Sequence, residues 1–440
     1  MKQINFNIFI VLGMILFLNA CDSFSNVSGI EKVPEQGWNV LVRGTMNNPD
    51  GVPVPDVLAV KLTNFEENYE VIGTLNLASG ETAVSGIIPG VYAISISGEL
   101  TAGSDVFLFS GNALGVSIKE NNQPVSIEIS IAKSGAILIK EIFYAGSTNF
   151  GSPANTTFID QYWEFYNNSG EVQYLDGLCF AALQPTIASA TAVYPTYDPP
   201  YDNFDEWVFS VLIWKFPGAG TNYPLQPGES AIMAQWALNH QGPPTSLPYT
   251  LNLISCEFEG YTDRSLAAGL IDNPAHNMEY IFGTPASRWN PTVVGPAIAL
   301  FKIPDGVTID RDFKIQNNNL PAASKVDVHP IPVSWIIDAV ETVGTAPLLQ
   351  RKRIPAVLDA GGVTTNGSYN YMSLSRRVRE TLPDGRIRLW DTNNSTHDFY
   401  PAHMAMIRRH NPGIPAWNTW YTLDPEYNKW FPKWVEWVPE

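Results

Sequence analysis

The chain has 440 residues, enough for two or three domains. Charged residues make up only 16% of it and aromatic residues 12%, with 34 prolines and 33 glycines. This composition is typical of a turn-rich β protein with ample core material and not of a disordered chain. The formal net charge of -17 repels nucleic-acid phosphates and anionic lipid surfaces, which excludes nucleic-acid binding as a main role.

The N-terminal residues predict export from the cytoplasm. An apolar run from Ile4 to Leu18 follows Lys2 and leads into Asn19, Ala20 and Cys21. The run is shorter than the roughly 20 apolar residues of a transmembrane helix, and it has the layout of a signal peptide. That layout resembles a bacterial lipoprotein signal, which implies cleavage before Cys21 and acylation of its thiol. The alternative is a plain secretory signal that leaves Cys21 as an ordinary cysteine.

We predict four segments along the chain. They are a lipoprotein signal peptide (1–20), a flexible polar tether (21–36), a first β domain (37–133) and a second, larger β domain (134–440). No later stretch is long and apolar enough to span a membrane, so the lipid on Cys21 would be the only anchor. The expected location is the outer membrane, on its periplasmic face or at the cell surface.

The first β domain shows short strands and tight turns. Asp50-Gly51 is a hairpin signal, and residues 91–96 and 126–131 alternate between apolar and polar side chains. An antiparallel β-sandwich is therefore expected. Gly51–Val57 (GVPVPDV) and Gly86–Ile96 (GIIPGVYAISI) resemble the prealbumin-like, carboxypeptidase-regulatory-type β-sandwich. That resemblance implies a spacer or docking module without catalytic residues.

The second β domain contains an ordered series of motif residues: Glu141, Glu164, Asn167, Leu175, Gly177, Pro227, Gly228, Asp338 and Val340. In this order they resemble the lamin-tail domain, an immunoglobulin-like β-sandwich. Long insertions are predicted between about 183 and 222 and between 237 and 295. Because they exceed ordinary loop lengths, binding surfaces are expected there.

A second resemblance is carried by five segments: Glu141–Gly146, Asp160–Asn168, Tyr174–Leu178, Ser373–Arg377 and Asp391–Phe399. Through them, most of the chain after the signal resembles a family of Bacteroidota lipoproteins known as domain of unknown function 4876. The resemblance implies a surface or periplasmic lipoprotein that works beside TonB-dependent outer-membrane receptors. It implies no reaction and no particular ligand.

Two cysteines remain after Cys21. Cys179 and Cys256 could form one disulfide in an exported protein. Both lie in apolar, strand-like runs, so two separately buried thiols are narrowly favoured.

Metal-binding residues are only weakly indicated, and no metal or cofactor is expected. Asp391, Asn393, Ser395 and Asp398 have the spacing of oxygen ligands in a calcium loop, but a turn capped by side chains is favoured. Three histidines lie within one short stretch of the chain, and their spacing does not define one binding face: His397, His403 and His410.

Other polar clusters have structural interpretations. Glu164 with Asn167-Asn168 is expected to bond backbone groups where a strand turns, in preference to forming a metal or sugar site with Asp160. Arg351-Lys352-Arg353 and Arg376-Arg377 are expected at solvated strand ends, paired with local carboxylates.

The C-terminal tail is rich in tryptophan, which suits sugar stacking or a protein interface. The residues concerned are Trp417, Trp420, Trp430, Trp434 and Trp437. An equally favoured alternative is a tail that completes the core.

We therefore expect a non-catalytic envelope lipoprotein that binds a ligand or partner, as an accessory to a TonB-dependent uptake receptor or another β-barrel protein. The ligand could be a glycan or another small molecule. The alternatives are an exported hydrolase of glycans or peptides and a purely structural spacer. A cleft between the two domains with converging carboxylates would favour the hydrolase.

Overall fold

The computed structural model describes residues 36–410, apart from 49–50, 65, 103–104, 150–151, 189–195, 284 and 320–324. Cys21, the predicted signal peptide and the tail tryptophans lie outside the described residues. Strands dominate the described part, confirming the predicted all-β fold class. Its helical elements are two short α-helices and two 3-10 helices: α1 (Asp263–Ala267), α2 (Ser395–Asp398), η1 (Val333–Trp335) and η2 (Ala346–Gln350).

The first seven strands form one sheet in the order β3-β2-β5-β6-β7-β1-β4. Strand β1 pairs antiparallel with β4 and parallel with β7. Strands β3 and β4, at the two ends of this order, also pack against each other, so the sheet folds around its own core. The strands are β1 (Trp38–Met46), β2 (Val57–Asn64), β3 (Tyr69–Asn76), β4 (Glu81–Ile87), β5 (Gly90–Ala102), β6 (Asp105–Ile118) and β7 (Gln123–Lys133).

Alternating side chains build the core of this first sheet. In β5, Tyr92, Ile94 and Ile96 are fully buried, as the period-2 pattern predicts. In β7, Ile127 and Ile129 are buried in the same cluster. Every second residue of a strand therefore contributes to one shared core, while the residues between them face outward.

Residues 137–402 form the second β region. Its strands are β8 (Ile137–Phe143), β9 (Ser147–Asn149), β10 (Ser152–Thr157), β11 (Tyr162–Asn167), β12 (Gln173–Tyr174), β13 (Leu178–Leu183), β14 (Trp207–Lys215), β15 (Pro224–Leu225), β16 (Ser230–Ala234), β17 (Phe258–Glu259), β18 (His276–Asn277), β19 (Glu279–Phe282), β20 (Ile298–Lys302), β21 (Ile315–Gln316), β22 (Asp327–Pro332), β23 (Ile336–Val340), β24 (Ser373–Arg376), β25 (Val378–Thr381), β26 (Ile387–Leu389) and β27 (Phe399–Ala402).

Two larger sheets of this region pack face to face as a sandwich. The second sheet has the order β18-β17-β16-β11-β8-β24-β27, and the third has the order β21-β22-β14-β13-β20-β23, with β19 paired to β14. Aromatic side chains of both sheets fill the space between them: Trp163 of β11 lies 5.7 Å from Phe180 of β13, measured between ring centroids. Three two-stranded ladders, β9-β10, β12-β15 and β25-β26, complete the region.

Both sheets of the sandwich are also covered on their outer faces. Leu251, Leu253 and Cys256 lie over the second sheet with Ala405 and Ile407. A separate cluster that includes Ile309 and Ile354 covers the third sheet. All seven residues of β8 are consequently buried, including the charged Lys140 and Glu141.

The predicted insertions are more regular than expected. Residues 183–222 include β14, which lies between β13 and β22 in the third sheet. Residues 237–295 include α1 and strands β17, β18 and β19. Both segments therefore contribute regular elements to the sandwich.

Candidate functional site

The two β regions are joined by polar contacts on one side of the first sheet. Ser110 Oγ donates to the carbonyl oxygen of Ala356 at 3.3 Å, and Asn112 Nδ2 donates to that of Ala360. Arg379 of β25 forms an ion pair with Glu99 of β5. These contacts dock β5 and β6 onto the second region.

A groove follows this junction, formed by two adjoining clefts. The first cleft, of about 410 Å³, lies between β5 and the β25-β26 ladder, and the second, of about 720 Å³, lies beside the loop 218–220. The two clefts share four lining residues, Ser134, Gly135, Ala136 and Gln173, so they meet at the segment that connects the two regions. We call them together the junction groove. Each cleft has a volume in the range of small-molecule sites.

Charged side chains of opposite sign are paired in the first cleft. Burial raises the pKa of Glu99, the ion pair with Arg379 lowers it, and the nearby carboxylates of Asp391 and Asp398 raise it. Asp391 Oδ2 accepts a hydrogen bond of 2.5 Å from Ser134 Oγ. The wall is thus polar, but its charges largely compensate one another.

The second cleft has a fixed loop on one side. Asp176 accepts three backbone hydrogen bonds, from Gly220 (3.0 Å), Asn222 (2.8 Å) and Tyr223 (2.8 Å), which hold the loop in place. Gly218 has φ of 111°, and a Cβ there would lie 2.2 Å from Asp176 Oδ1, so this position requires glycine.

The second cleft also presents an exposed aromatic side chain. Tyr174 of β12 is 41% exposed and lines the wall. Ile303 and Ile337 contribute partly buried apolar surface nearby. This end of the groove therefore adds a ring and apolar contacts to its polar groups, whereas the other end carries the charged side chains of Glu99, Arg379 and Arg388.

Arg376 lies beneath the first cleft and organises the carboxylates there. Its Nη2 is 2.6 Å from Asp338 Oδ2, and its Nη1 is 3.5 Å from Asp391 Oδ1 and 3.7 Å from Asp398 Oδ2. These carboxylates raise the pKa of Arg376, against the opposing effect of burial. The expectation of a solvated strand end is therefore wrong for Arg376. It is also wrong for Arg353, which is buried with its Nε 2.7 Å from Glu341 Oε1.

The four residues considered for calcium all bond to other groups of the protein. Asp391 and Asp398 face Arg376. Asn393 Nδ2 donates to the carbonyl of Val357 at 2.7 Å, and Ser395 Oγ donates to Asp359 Oδ2 at 2.7 Å. Within the described ranges, no group of three or more His, Cys, Asp or Glu side chains could hold a metal ion.

The histidines and asparagines have ordinary structural surroundings. His397 Nδ1 is 3.0 Å from Asp398 Oδ1, while His403 and His410 are exposed. Asn167 Nδ2 donates to the carbonyls of Glu171 and Leu225, each at 2.8 Å, and Asn168 Oδ1 accepts from Leu389 N at 2.8 Å. The two asparagines thus bond backbone groups at a turn, as expected.

Glu164 takes part in a buried ionic cluster that the sequence did not indicate. Its Oε1 accepts from Lys140 Nζ at 2.9 Å, and its Oε2 accepts from the backbone amide of Arg408 at 2.9 Å. The neighbouring Glu141 accepts from Arg409 Nε at 3.0 Å and from Met406 N at 3.0 Å. Together they hold residues 404–410 on the outer face of the second sheet.

A third cleft, of about 580 Å³, lies at the surface of residues 261–280. Tyr261, Asp272 and Tyr280 line it together with Arg311. The Arg311 guanidinium lies 5.3 Å from the centroid of the Tyr280 ring, and its Nη2 donates to the Tyr280 carbonyl at 2.5 Å. The Arg311 side chain thus partly covers the Tyr280 ring.

Cys179 and Cys256 are free, buried thiols in different apolar clusters. Burial raises the pKa of Cys179 to about 12 and that of Cys256 well above its usual range. The sequence left open a disulfide or two separately buried thiols, and the structure contains the separately buried thiols.

The fold and groove define an all-β protein with a ligand-sized groove at the junction of two β regions. The family model for a protein of unknown function, DUF4876, matches residues 226–406. The crystal structure of a DUF4876 family protein from Bacteroides thetaiotaomicron is similar to this chain, with 29% identity and a TM-score of 0.58, covering 87% of this chain and 99% of that one. The predicted resemblance to this family is thereby confirmed, and the function of the family is unknown.

No curated protein matches the chain. Among the described residues, no helix is long and apolar enough to cross a membrane.

Proposed function

We propose that this protein is a non-catalytic, lipid-anchored component of the bacterial cell envelope that holds a ligand in the junction groove. The observation that carries the binding role is the groove itself, with two ligand-sized clefts meeting at residues 134–136. Three of its carboxylates are held by structural partners: Glu99 by Arg379, Asp176 by three amides, and Asp391 by Ser134 and Arg376. Groups fixed in this way suit orientation of a ligand better than proton exchange with it.

The anchor is the acylated Cys21, at the end of the apolar run Ile4–Leu18. Several acyl chains on one cysteine bind a membrane firmly, because each buried methylene contributes about 0.8 kcal/mol. The protein would lie on the periplasmic face of the outer membrane or at the cell surface. There it would pass its ligand to a TonB-dependent receptor or another β-barrel protein, for which the tail tryptophans 417–437 supply a contact surface.

Two measurements on the full-length chain test this proposal. Cys21→Ser should move the protein from the membrane fraction to the soluble fraction, whereas Cys179→Ser should leave it membrane-bound. Protein extracted in detergent should release a small molecule on denaturation, and Thr101→Trp with Ala219→Trp, which fill the two clefts, should reduce that release. A membrane-bound Cys21→Ser protein would contradict the anchor, and equal ligand release would contradict the groove.

A hydrolase is the second candidate, because Glu99 and Asp391 line the same cleft. Burial raises the pKa of both carboxyl groups, as a general acid requires. If the groove hydrolyses glycans, Glu99→Gln should lower the rate at least about 100-fold while ligand retention persists. No turnover by the wild-type protein on glycans that it retains would exclude this candidate.

A further inference from the structure

The junction groove joins two clefts that carry different side chains. The first cleft carries the planar side chains of Arg379, Arg388 and Asn168, with Gln173 where the two clefts meet. The second cleft carries the exposed ring of Tyr174. A ligand that uses both clefts must therefore be extended and not a single small ion.

Charged side chains of both signs line the groove, which favours a neutral ligand over an anionic one. Arg379 is paired with Glu99, and Arg388 Nη1 is 3.0 Å from Glu380 Oε1. Lys302 and Asp305, both exposed in the second cleft, also have opposite signs. The protein as a whole carries a net charge of -17, which disfavours an anionic ligand.

The same groups have the chemistry of hydroxyl recognition. Guanidinium, amide and carboxylate groups are planar and can bond two neighbouring hydroxyls at once. The Gln173 amide donates to Ser169 Oγ at 3.3 Å, a long bond that a ligand hydroxyl can replace. The face of an exposed tyrosine ring attracts the C–H groups on the apolar face of a pyranose.

We infer that the junction groove binds a neutral oligosaccharide of several sugar units, with Tyr174 as the stacking surface and the residues around Gln173 as hydrogen-bonding partners. This inference rests on the proposed function, because it specifies the ligand of the same groove. It adds a class of ligand and assigns Tyr174 a binding role.

The test is calorimetric titration of the full-length protein in detergent with neutral hexasaccharides of glucose, mannose or xylose. At least one should bind, and Tyr174→Ala should weaken that binding about tenfold. Phe204→Ala is the matched control, because Phe204 is 45% exposed and lies outside the lining of the groove. Ala219→Trp should abolish binding, with thermal unfolding of each variant confirming that it is folded.

Two results would overturn the inference. One is hexasaccharide binding that neither Tyr174→Ala nor Ala219→Trp alters, which would place the sugar elsewhere. The other is no binding of any neutral hexasaccharide, even if hexalysine or an oligogalacturonate binds. The proposed binding role of the groove fails separately, if filling both clefts leaves the release of the retained small molecule unchanged.

Discussion

Arg376 Nη2 donates to Asp338 Oδ2 at 2.6 Å, and this buried contact joins β24 of the second sheet to β23 of the third. Asp338 Oδ2 also accepts from Ile139 N of β8 at 2.6 Å. One carboxylate thus links three strands across the sandwich, directly below the first cleft. The groove is built over a charged connection between the two sheets and not over apolar core alone.

Removing Arg376 should destabilise the second β region strongly. Arg376→Met leaves Asp338, Asp391 and Asp398 buried without their cation, and breaking a buried pair costs about 3–5 kcal/mol. Urea unfolding followed by tryptophan fluorescence would measure the loss. Lys215→Met is the control: its partner Glu279 lies 2.6 Å away, Lys215 is partly exposed and Glu279 is exposed, so the loss should be below about 1 kcal/mol. Equal losses of unfolding free energy in the two variants would contradict the stabilising role of Arg376.

Stability should fall as the pH rises because of Glu259. Burial raises the pKa of Glu259 to about 7, whereas the unfolded chain has a value of about 4.3. Between these values the folded protein retains a proton that the unfolded chain has lost, so raising the pH favours unfolding. Glu259→Gln removes this proton uptake.

The measurement is urea unfolding of wild type and Glu259→Gln at pH 4.5 and pH 8. From pH 4.5 to pH 8, the free energy of unfolding of the wild type should fall by on the order of 3 kcal/mol more than that of the variant. Asp160, with a pKa raised to about 6, contributes in the same direction and is present in both proteins. Identical pH dependence in the two proteins would show that Glu259 is ionised when folded.

Glu141 should control the opening of residues 404–410. It accepts hydrogen bonds from Met406 N and from Arg409 Nε, both at 3.0 Å. Glu141→Gln removes the charge that holds Arg409, so the amides of residues 404–410 should exchange hydrogen at least tenfold faster, since charge-assisted bonds contribute about 1.5–3 kcal/mol. Hydrogen exchange with mass spectrometry measures this. Glu171→Gln replaces an exposed glutamate and should leave the exchange of these amides unchanged.

Cys179 and Cys256 should be unreactive in the folded protein. Both thiols are buried and their pKa values are raised, so little thiolate exists at neutral pH. Iodoacetamide should modify neither residue under native conditions and both after denaturation without a reductant. Failure to modify them in the denatured, non-reduced protein would reveal a disulfide.

Local sequence patterns predicted the fold class. The alternation around Ile94 and Ile129 and the motif residues near Glu141 and Asp338 indicated β-sandwich architecture, because period and turn chemistry are local properties. Strand β14 was missed, although Trp207–Lys215 is rich in apolar residues. Covered on both faces, it lacks the polar alternation that marks a half-exposed strand.

The site itself depends on contacts between residues distant in the chain. Glu99 meets Arg379, and Ser134 meets Asp391, only after the two β regions dock. Arg376 looked like a surface cation because its partners Asp338, Asp391 and Asp398 are not its immediate neighbours in sequence. No local pattern encodes such pairs, so the groove emerged only from the tertiary structure.

The most direct test of the central claim is to locate the ligand by hydrogen exchange. Full-length protein would be purified from membranes in detergent and compared before and after exhaustive removal of what it retains. We predict faster exchange after removal at residues 134–136, 169–173 and 218–220, with little change around Tyr261 and Asp272. A change confined to the cleft at Tyr261, or no change anywhere, would contradict the assignment of the junction groove as the binding site.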